Sequence, residues 1–235
     1  MSQTQAAVTT GPQTGPHAEG AAVAAPGVRV VLATRNPHKV DELRRMLAES
    51  GLAVEVLDLA GAAAELGEVP EVAETGVTFV ENAMLKAHAV AQATGLPAIG
   101  DDSGLCLDVL GGSPGVFSAR WSGKHGDDTA NLELLLAQLD EVPEDKRTAW
   151  FACAAVLALP DGRERIAEGR LVGTVVRQRS GSNGFGYDPI FRPDGYEVTL
   201  AELTADAKDA ISHRGRALAE LVRRIPEILP QVRQG

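Results

Sequence analysis

Cysteine is nearly absent from this chain: only Cys106 and Cys153 occur among 235 residues. They form no CxxC pair and sit at no Cys/His metal spacing, so the sequence offers no structural zinc site. Both lie in apolar runs and read as buried thiols of a reducing compartment. A basic excess is missing too. Lys and Arg number 22 against 32 Asp and Glu, for a net charge of -10. That balance speaks against general nucleic-acid affinity, which needs a basic stripe to displace counterions, but a nucleotide ligand needs only a local basic pocket. No apolar run is long enough to span a membrane, and no basic segment followed by an apolar one marks a secretory signal, so a cytoplasmic location is expected. The phosphate loop GxxxxGK[ST] is missing, no GxGxxG follows a strand, and no internal repeat is present.

What is there describes a soluble globular chain, 44% hydrophobic and 23% charged, long enough for one large domain or two lobes sharing a core. Residues 1–27 are mostly Ala, Gly, Pro, Thr and Gln, cannot bury enough surface to offset their chain entropy, and are expected to form a disordered tail. The remainder, 28–235, lacks any linker that would divide it into independent domains. Val28 to Ala33 is a β-branched strand broken by Thr34-Arg35-Asn36-Pro37, with Pro37 at the first position of a helix carrying Val40, Leu43 and Leu47 and closed by Gly51. Leu52 to Leu57 reads as a strand and 58–77 as an irregular acidic stretch broken by Pro70 and Gly76. Thr78 with Glu81 forms a capping-box pattern for a helix running to Gly95. Leu96 to Gly100 reads as a short buried strand, and Thr129 to Leu139 as a helix. Thr148 to Leu159 and Arg163 to Val176 form a hairpin about Pro160-Asp161-Gly162, and a last helix spans Arg214 to Ile225. The order predicts an α/β fold, a mixed sheet with helices packed against it in two lobes.

Several segments carry candidate chemistry. Asp101-Asp102-Ser103-Gly104 follows the short strand, where acid side chains delivered into a loop suit a divalent metal for phosphate chemistry; the same residues are also ordinary turn formers. Thr34 to Lys39 lies at a strand-to-helix turn, where free N–H groups and Lys39 suit a phosphate, although a plain capped helix explains the pattern equally. Glu74 is free to reach a metal, Glu81 is a capping partner of Thr78, and Lys86 is either a solvated helix charge or a phosphate clamp. Glycines on both sides of Phe185, in Gly184-Phe185-Gly186-Tyr187-Asp188-Pro189, leave its ring uncovered as a stacking platform for a flat ligand would require, or as a tight turn would leave it. Ser212-His213-Arg214 caps the last helix and adds donors suited to a base edge or a phosphate. His38, His88 and His125 read as surface positions. Taken together these groups suit a nucleoside triphosphate with magnesium.

The chain resembles the inosine triphosphate pyrophosphatase family, the non-canonical purine nucleoside triphosphate pyrophosphatases. The matching segments are Leu32 to Asn36 with Lys39, Glu74-Thr75-Gly76 through Glu81-Asn82-Ala83, Asp101 to Leu105, Gly111-Gly112-Ser113-Pro114-Gly115, Gly184 to Pro189 and Ser212 to Gly215. They occur in family order over roughly residues 28–230; Arg35 stands where small residues are more usual. The resemblance implies an elongated mixed sheet flanked by helices, two lobes with a central nucleotide cleft, and a homodimer. It implies Mg2+-dependent hydrolysis of XTP, ITP or dITP to the monophosphate and pyrophosphate, with purine nucleotide as substrate and neither nucleic acid nor membrane as partner. Mapped by segment, Thr34, Arg35, Asn36, Pro37, His38 and Lys39 would hold phosphate. Asp102 would be catalytic base and metal ligand, Glu74 a second ligand, Ser103 a substrate contact, and Lys86 and Lys208 phosphate neutralisers. Phe185, Gly186, Tyr187, Asp188, His213 and Arg214 would hold the base, partly through backbone N–H groups after Phe185. Two other readings stay open at this level: a nucleotide sensor with negligible turnover, and a pyrophosphatase acting on modified pyrimidines.

Overall fold

The run Val28–Leu32 forms strand β1, because its β-branched residues suit a pleated surface buried on both sides. A computed structural model describes residues 27–232, without the side chains of Pro37 and His38; apart from Gly27, the tail expected over 1–27 lies outside the described residues. After β1 come helix α1 (Pro37–Ser50), strand β2 (Val54–Leu57), and helices α2 (Leu59–Leu66) and α3 (Phe79–Thr94). Strand β3 (Ala98–Leu107), helix α4 (Asp128–Gln138) and strands β4 (Thr148–Ala158), β5 (Glu164–Val175) and β6 (Phe191–Pro193) follow, then helices α5 (Ala205–Ile211) and α6 (His213–Ile228). The strands make one mixed sheet in the order β2-β1-β3-β4-β5-β6, with β1 parallel to β2 and β3 and the other pairs antiparallel. The α/β fold expected from the order of elements is the one observed. Among the described residues no helix is long and apolar enough to cross a membrane.

Side chains alternate across this sheet. On one face α1 and α6 cover β1, β3 and β4 through Val30, Leu32, Leu43, Ile99, Leu157 and Leu221. Further along the same face a second cluster gathers Leu105, Leu107, Leu135, Phe151 and Phe191. Asp101 and Ser103 fall between the two. On the opposite face α3 packs Ala83, Ala87 and Val90 against Val31, Ala154 and Val156. Two glycines allow these helices to lie close. A side chain on Gly100 would run into the Ala83 carbonyl and come 2.8 Å from the Ala87 nitrogen; one on Gly169 would meet the His213 carbonyl and come 2.7 Å from the Ala217 nitrogen.

Three expectations need correction. The two aspartates do not leave a short strand into a loop: β3 continues five residues beyond them and they are paired with Ala155 and Ala154 of β4. Apolar strand length misled there, because the glycines and polar residues of 100–104 break the run without breaking the ladder. The stretch 58–77 is not wholly irregular, since the alanine-rich segment Leu59–Leu66 is helical and Asp58 caps it by accepting the Gly61 N–H at 2.6 Å. The capping box at α3 is only half formed: Thr78 accepts the Glu81 N–H at 3.1 Å, but Glu81 accepts from Val77. The short helix α5, absent from the sequence reading, adds a Thr204 cap. Cys106 and Cys153 are both free and buried, as expected.

Gly100→Ala should destabilise the fold by roughly 3 kcal/mol, the upper range for overpacking, because the obstacle is backbone that cannot rotate away. Urea unfolding measures this; a loss below about 0.5 kcal/mol, typical of unconstrained surface sites, would show that α3 can move off the sheet.

Candidate active site

Strand β3 outlasts its parallel neighbour. The last tie between them runs from the Ala33 N–H to the Ile99 carbonyl at 2.7 Å, after which the chain turns away through Thr34–Asn36 into α1. β1 pairs with β2 on one side and β3 on the other, so the chain reverses direction across the sheet here, where open α/β sheets form a crevice for ligands. A cleft of about 570 Å³ opens at this point, lined by Thr34, Arg35, Lys39, Glu74, Lys86 and Asp101 among others.

Asp101 projects to the α1/α6 face and is 4% exposed. Its Oδ2 lies 2.7 Å from Lys39 Nζ on α1 and 3.4 Å from Arg214 Nε on α6; Arg214 Nη2 also donates to Ser103 Oγ at 3.3 Å. Burial opposes ionisation of this carboxyl, but Lys39, Arg214 and Lys86 outweigh it and hold Asp101 well below the usual carboxylate range. Gly169 sits across the ladder from Ser103, by way of Cys153, and the close approach it permits brings the start of α6 within reach. Asp101 is thus an ion-pair anchor on the face opposite Asp102, not part of one acid cluster with it.

Asp102 projects to the α3 face. Asn82 Nδ2 donates to its Oδ2 and the Ser103 N–H to its Oδ1, both at 3.0 Å, and Lys86 Nζ lies 3.6 Å from Oδ1. Lys86 donates to Glu74 Oε1 at 2.9 Å, and Arg120 Nη1 stands 3.6 Å from Glu74 Oε2. Burial raises the Asp102 carboxyl above its ordinary value, against the pull of Lys86 and Asn82. At Glu74 burial acts the same way, but Lys86 and Arg120 overcome it and its carboxyl is lowered. Lys86 is itself partly desolvated, yet Asp102, Asp101 and Glu74 raise it, so it stays charged. Among the described residues no three His, Cys, Asp or Glu side chains cluster as a complete metal shell. Glu74 and Asp102 nevertheless converge on one cation, and two carboxylates completed by phosphate oxygens suit magnesium, which retains waters and seldom takes an all-protein cage.

The third part of the site is the loop before β6. Gly184 and Gly186 both adopt positive φ, and Phe185 between them is 58% exposed, with Lys208 Nζ 4.7 Å from its ring centre. Asp188 is buried and accepts from Lys208 at 2.6 Å and from the Phe185 N–H at 2.8 Å. The Gly186 N–H donates to Asp128 Oδ2 at 3.0 Å. The Phe185 and Gly186 N–H groups are therefore engaged by carboxylates and not presented to a base, the first within the turn itself and the second by α4. Tyr187 is buried, its hydroxyl donating to the Ser118 carbonyl at 2.9 Å. His213 stacks on Phe151 with ring centres 4.9 Å apart, and its Nδ1 is buried with no hydrogen-bond partner among the described residues. Burial, with Arg214 and Lys208 beside it, pushes its pKa down to about 3, so the ring is neutral.

Of the residues expected to hold phosphate, Thr34 Oγ1 accepts the Asn36 N–H at 3.2 Å, the Asn36 carbonyl accepts from Lys39 at 3.2 Å, and Arg35 pairs with Glu71 at 3.3 Å. Pro37 and His38 stand in the first turn of α1. His125 is exposed and lines the cleft, whereas His88 is half-buried and 2.6 Å from Glu164, contrary to the surface position expected. Sequence reasoning missed Asn82, Arg120 and Asp128 as parts of the site. Asn82 had a signal, a lone amide on the alanine-lined face of α3; Arg120, in a 3-10 turn (Gly115–Arg120), had none.

A model of the Ham1 family matches residues 30–224. A dITP/XTP pyrophosphatase of Streptomyces avermitilis is 62% identical over 201 residues, covering 86% of this chain and 98% of that protein. A HAM1 protein structure from Coxiella burnetii superposes with a TM-score of 0.78 at 39% identity, over 85% of this chain and 99% of that one. A nucleoside-triphosphatase, or dITP/XTP pyrophosphatase, of Mycobacterium abscessus gives 0.71 at 49% identity, over 88% and 100%.

Asp101→Asn should cost roughly 3–5 kcal/mol of stability, since it leaves Lys39 and Arg214 buried beside a neutral amide. Denaturant unfolding reads it, and a change under about 1 kcal/mol would show the cations re-solvating freely. The neutral His213 makes a second prediction. Its folded pKa of about 3 lies below the ordinary 6.5, so the unfolded chain binds the extra proton first. Its contribution is fully present above pH 6.5 and falls as pH drops toward 3. His213→Phe, which keeps a ring on Phe151, should flatten the stability profile between about pH 6.5 and 4.5, above most carboxylate titrations. Parallel profiles for the two proteins would contradict a buried neutral imidazole.

Proposed function

Because the chain belongs to the Ham1 family, we propose that it hydrolyses non-canonical purine nucleoside triphosphates, ITP, dITP and XTP, to the monophosphate and pyrophosphate. Such an activity keeps deaminated purines out of DNA and RNA. The observation that carries the reading is the convergence of Asp102 and Glu74 on Lys86, with Glu74 and Lys86 lining a cleft that Thr34, Arg35 and Lys39 also wall. The reading treats 28–235 as one two-lobed catalytic domain, with substrate seated between the apolar clusters.

In this mechanism Lys39 and Lys86 offset the charge of the triphosphate, which otherwise repels an anionic base and its water. Thr34, Arg35 and Asn36 supply further donors at the start of α1, where backbone N–H groups lack helical partners. Asp102 orients a water toward the α-phosphorus and takes its proton on a carboxylate oxygen. Asn82 and the Ser103 N–H hold that carboxylate in one orientation, and its raised pKa makes it a better base than an ordinary aspartate. Pyrophosphate leaves as the bond to the β-phosphate oxygen breaks. Glu74 and Asp102 would hold Mg2+, which supplies charge stabilisation at phosphorus and a more acidic water.

Phe185 offers the base a face, with Lys208 poised over its ring. His213 and Arg214 read the base edge: inosine and xanthosine present a C6 carbonyl, where adenosine has an amino group that would meet donor with donor. Arg214 already holds Ser103 and Asp101, so it is fixed in place for this role. We place the enzyme in the cytoplasm on the strength of its two free thiols, and take its acidic balance as against nucleic-acid binding. A homodimer is the proposed assembly, supported by the exposed Val77 and Phe117 and checked by sedimentation.

Asp102→Asn should lower ITP turnover on the order of 10²–10⁴-fold while the melting temperature holds. Pyrophosphate release measures it, and activity within a few-fold of wild type would remove Asp102 from the chemistry. In the same assay ITP and XTP should exceed ATP by about 10⁴ or more, the range that hydrogen-bonding sites achieve. Chelation should abolish turnover and Mg2+ restore it; equal rates on ATP, or full activity with a chelator present, would refute the corresponding part of the reading.

A further inference from the structure

We propose that Asp128, on the first turn of α4, is a positioning residue that holds the Phe185 ring where a purine stacks on it. The inference rests on Phe185 being the base platform. Lys208, with Nζ 4.7 Å from the ring centre, touches the ring directly but leaves it open to solvent. Phe185 is more than half exposed, and the glycines on either side contribute no side chains to pack against it. Its placement therefore depends on how its backbone is fixed. Two N–H groups do this: that of Phe185 donates to Asp188 Oδ2 at 2.8 Å, and that of Gly186 to Asp128 Oδ2 at 3.0 Å.

The two anchors are not equivalent. Asp188 belongs to the same turn, three residues on, where it is buried and also held by Lys208 of α5 at 2.6 Å; it fixes the near side of the loop. Asp128 lies 58 residues away in sequence, on a helix fixed in the core by Leu132 and Leu135. Helix capping does not account for it, because the cap of α4 is Asp127, whose Oδ1 accepts the Ala130 N–H at 3.2 Å. α4 is further tied to the preceding loop, where Asn131 Oδ1 accepts the Ser122 N–H at 2.7 Å. Asp128 thus joins the tip of a glycine-flexible loop to a rigid element. Without it, the Gly186 N–H loses this acceptor, the loop tip is held from the Asp188 and Tyr187 side alone, and the ring covers the base less well.

The test is a mutant cycle read in kcat and KM for ITP. Asp128→Ala should raise KM about tenfold, the factor expected when a hydrogen bond to a charged group is lost, with kcat within about threefold. Asp128→Asn keeps a carbonyl acceptor and should return KM to within about threefold of wild type. In a Phe185→Ala background, Asp128→Ala should add nothing further, because both act through one ring. An unchanged KM for Asp128→Ala, a full additive loss in the double variant, or an Asn variant as impaired as Ala would each overturn the proposal. The underlying reading fails separately: if Phe185→Ala alone leaves KM for ITP unaltered, the ring is no platform, and Asp128 has nothing to position. A normal Phe185 effect with a silent Asp128→Ala removes the positioning role only.

Discussion

A carboxylate taken out of water has to find compensating charge, and at Asp101 that requirement organises the molecule. Lys39 and Arg214 come to it from helices at opposite ends of the chain, so one ion-paired centre joins α1, α6 and β3. The beginning of α6 can come close only because Gly169 offers no side chain beneath it. Its arrival carries His213 onto Phe151 and brings Arg214 to Ser103. The turn from β1 into α1 and the start of α6, which the proposed function assigns to phosphate and base, are thereby held to one reference point. Replacing the ion pairs by apolar side chains could leave a comparably stable fold, as buried pairs often gain little net stability. It would not fix two halves of a substrate site at one separation.

The pleat of the strand then divides labour between neighbours that look alike. Asp101 and Asp102 point to opposite faces, one toward two cations and deep burial, the other toward an amide and one shared lysine. Their electrostatic states diverge accordingly. Asp101 is held ionised and is useless as a base, while Asp102 is raised toward the range where it can take a proton. Lys86, facing both Asp102 and Glu74, keeps the pair from repelling each other in the free protein.

Much of this was legible as residue types, and little of it as geometry. The strand-turn-helix at Val28 to Ser50 followed from β-branching, Pro37 and the spacing of Val40, Leu43 and Leu47, all of which are local signals. Phe185 could be singled out because two glycines flank it, and its exposure follows from the same fact. The acid pair was visible, but its setting was not. Gly100 and Gly104 look like a strand ending in a turn, whereas they are the places where α3 and the segment 115–118 press on the sheet. Close approach of this kind is a tertiary fact that leaves no periodicity. The same holds for Asp128 and Arg120, whose partners lie 58 and 46 residues away in the chain. Helix α2 was missed for a different reason: its alanines were set aside in favour of the breakers Pro70 and Gly76 that follow it.

Because β3 runs on after β1 has turned away, no strand among the described residues lies beside its outer edge between Asp101 and Leu107. An uncovered edge is a template on which another chain can add a strand, the first step of many aggregates. Here the N–H of Ser103 is taken by the Asp102 carboxylate, that of Leu105 by the Ser118 hydroxyl at 2.9 Å, and that of Leu107 by the Ser113 carbonyl at 3.0 Å. The Asp102 carboxylate therefore blunts the edge as well as facing Lys86. Opening a sheet beside a cleft exposes it to larger intruders, and in this chain a carboxylate next to the opening occupies the N–H that such an intruder would need.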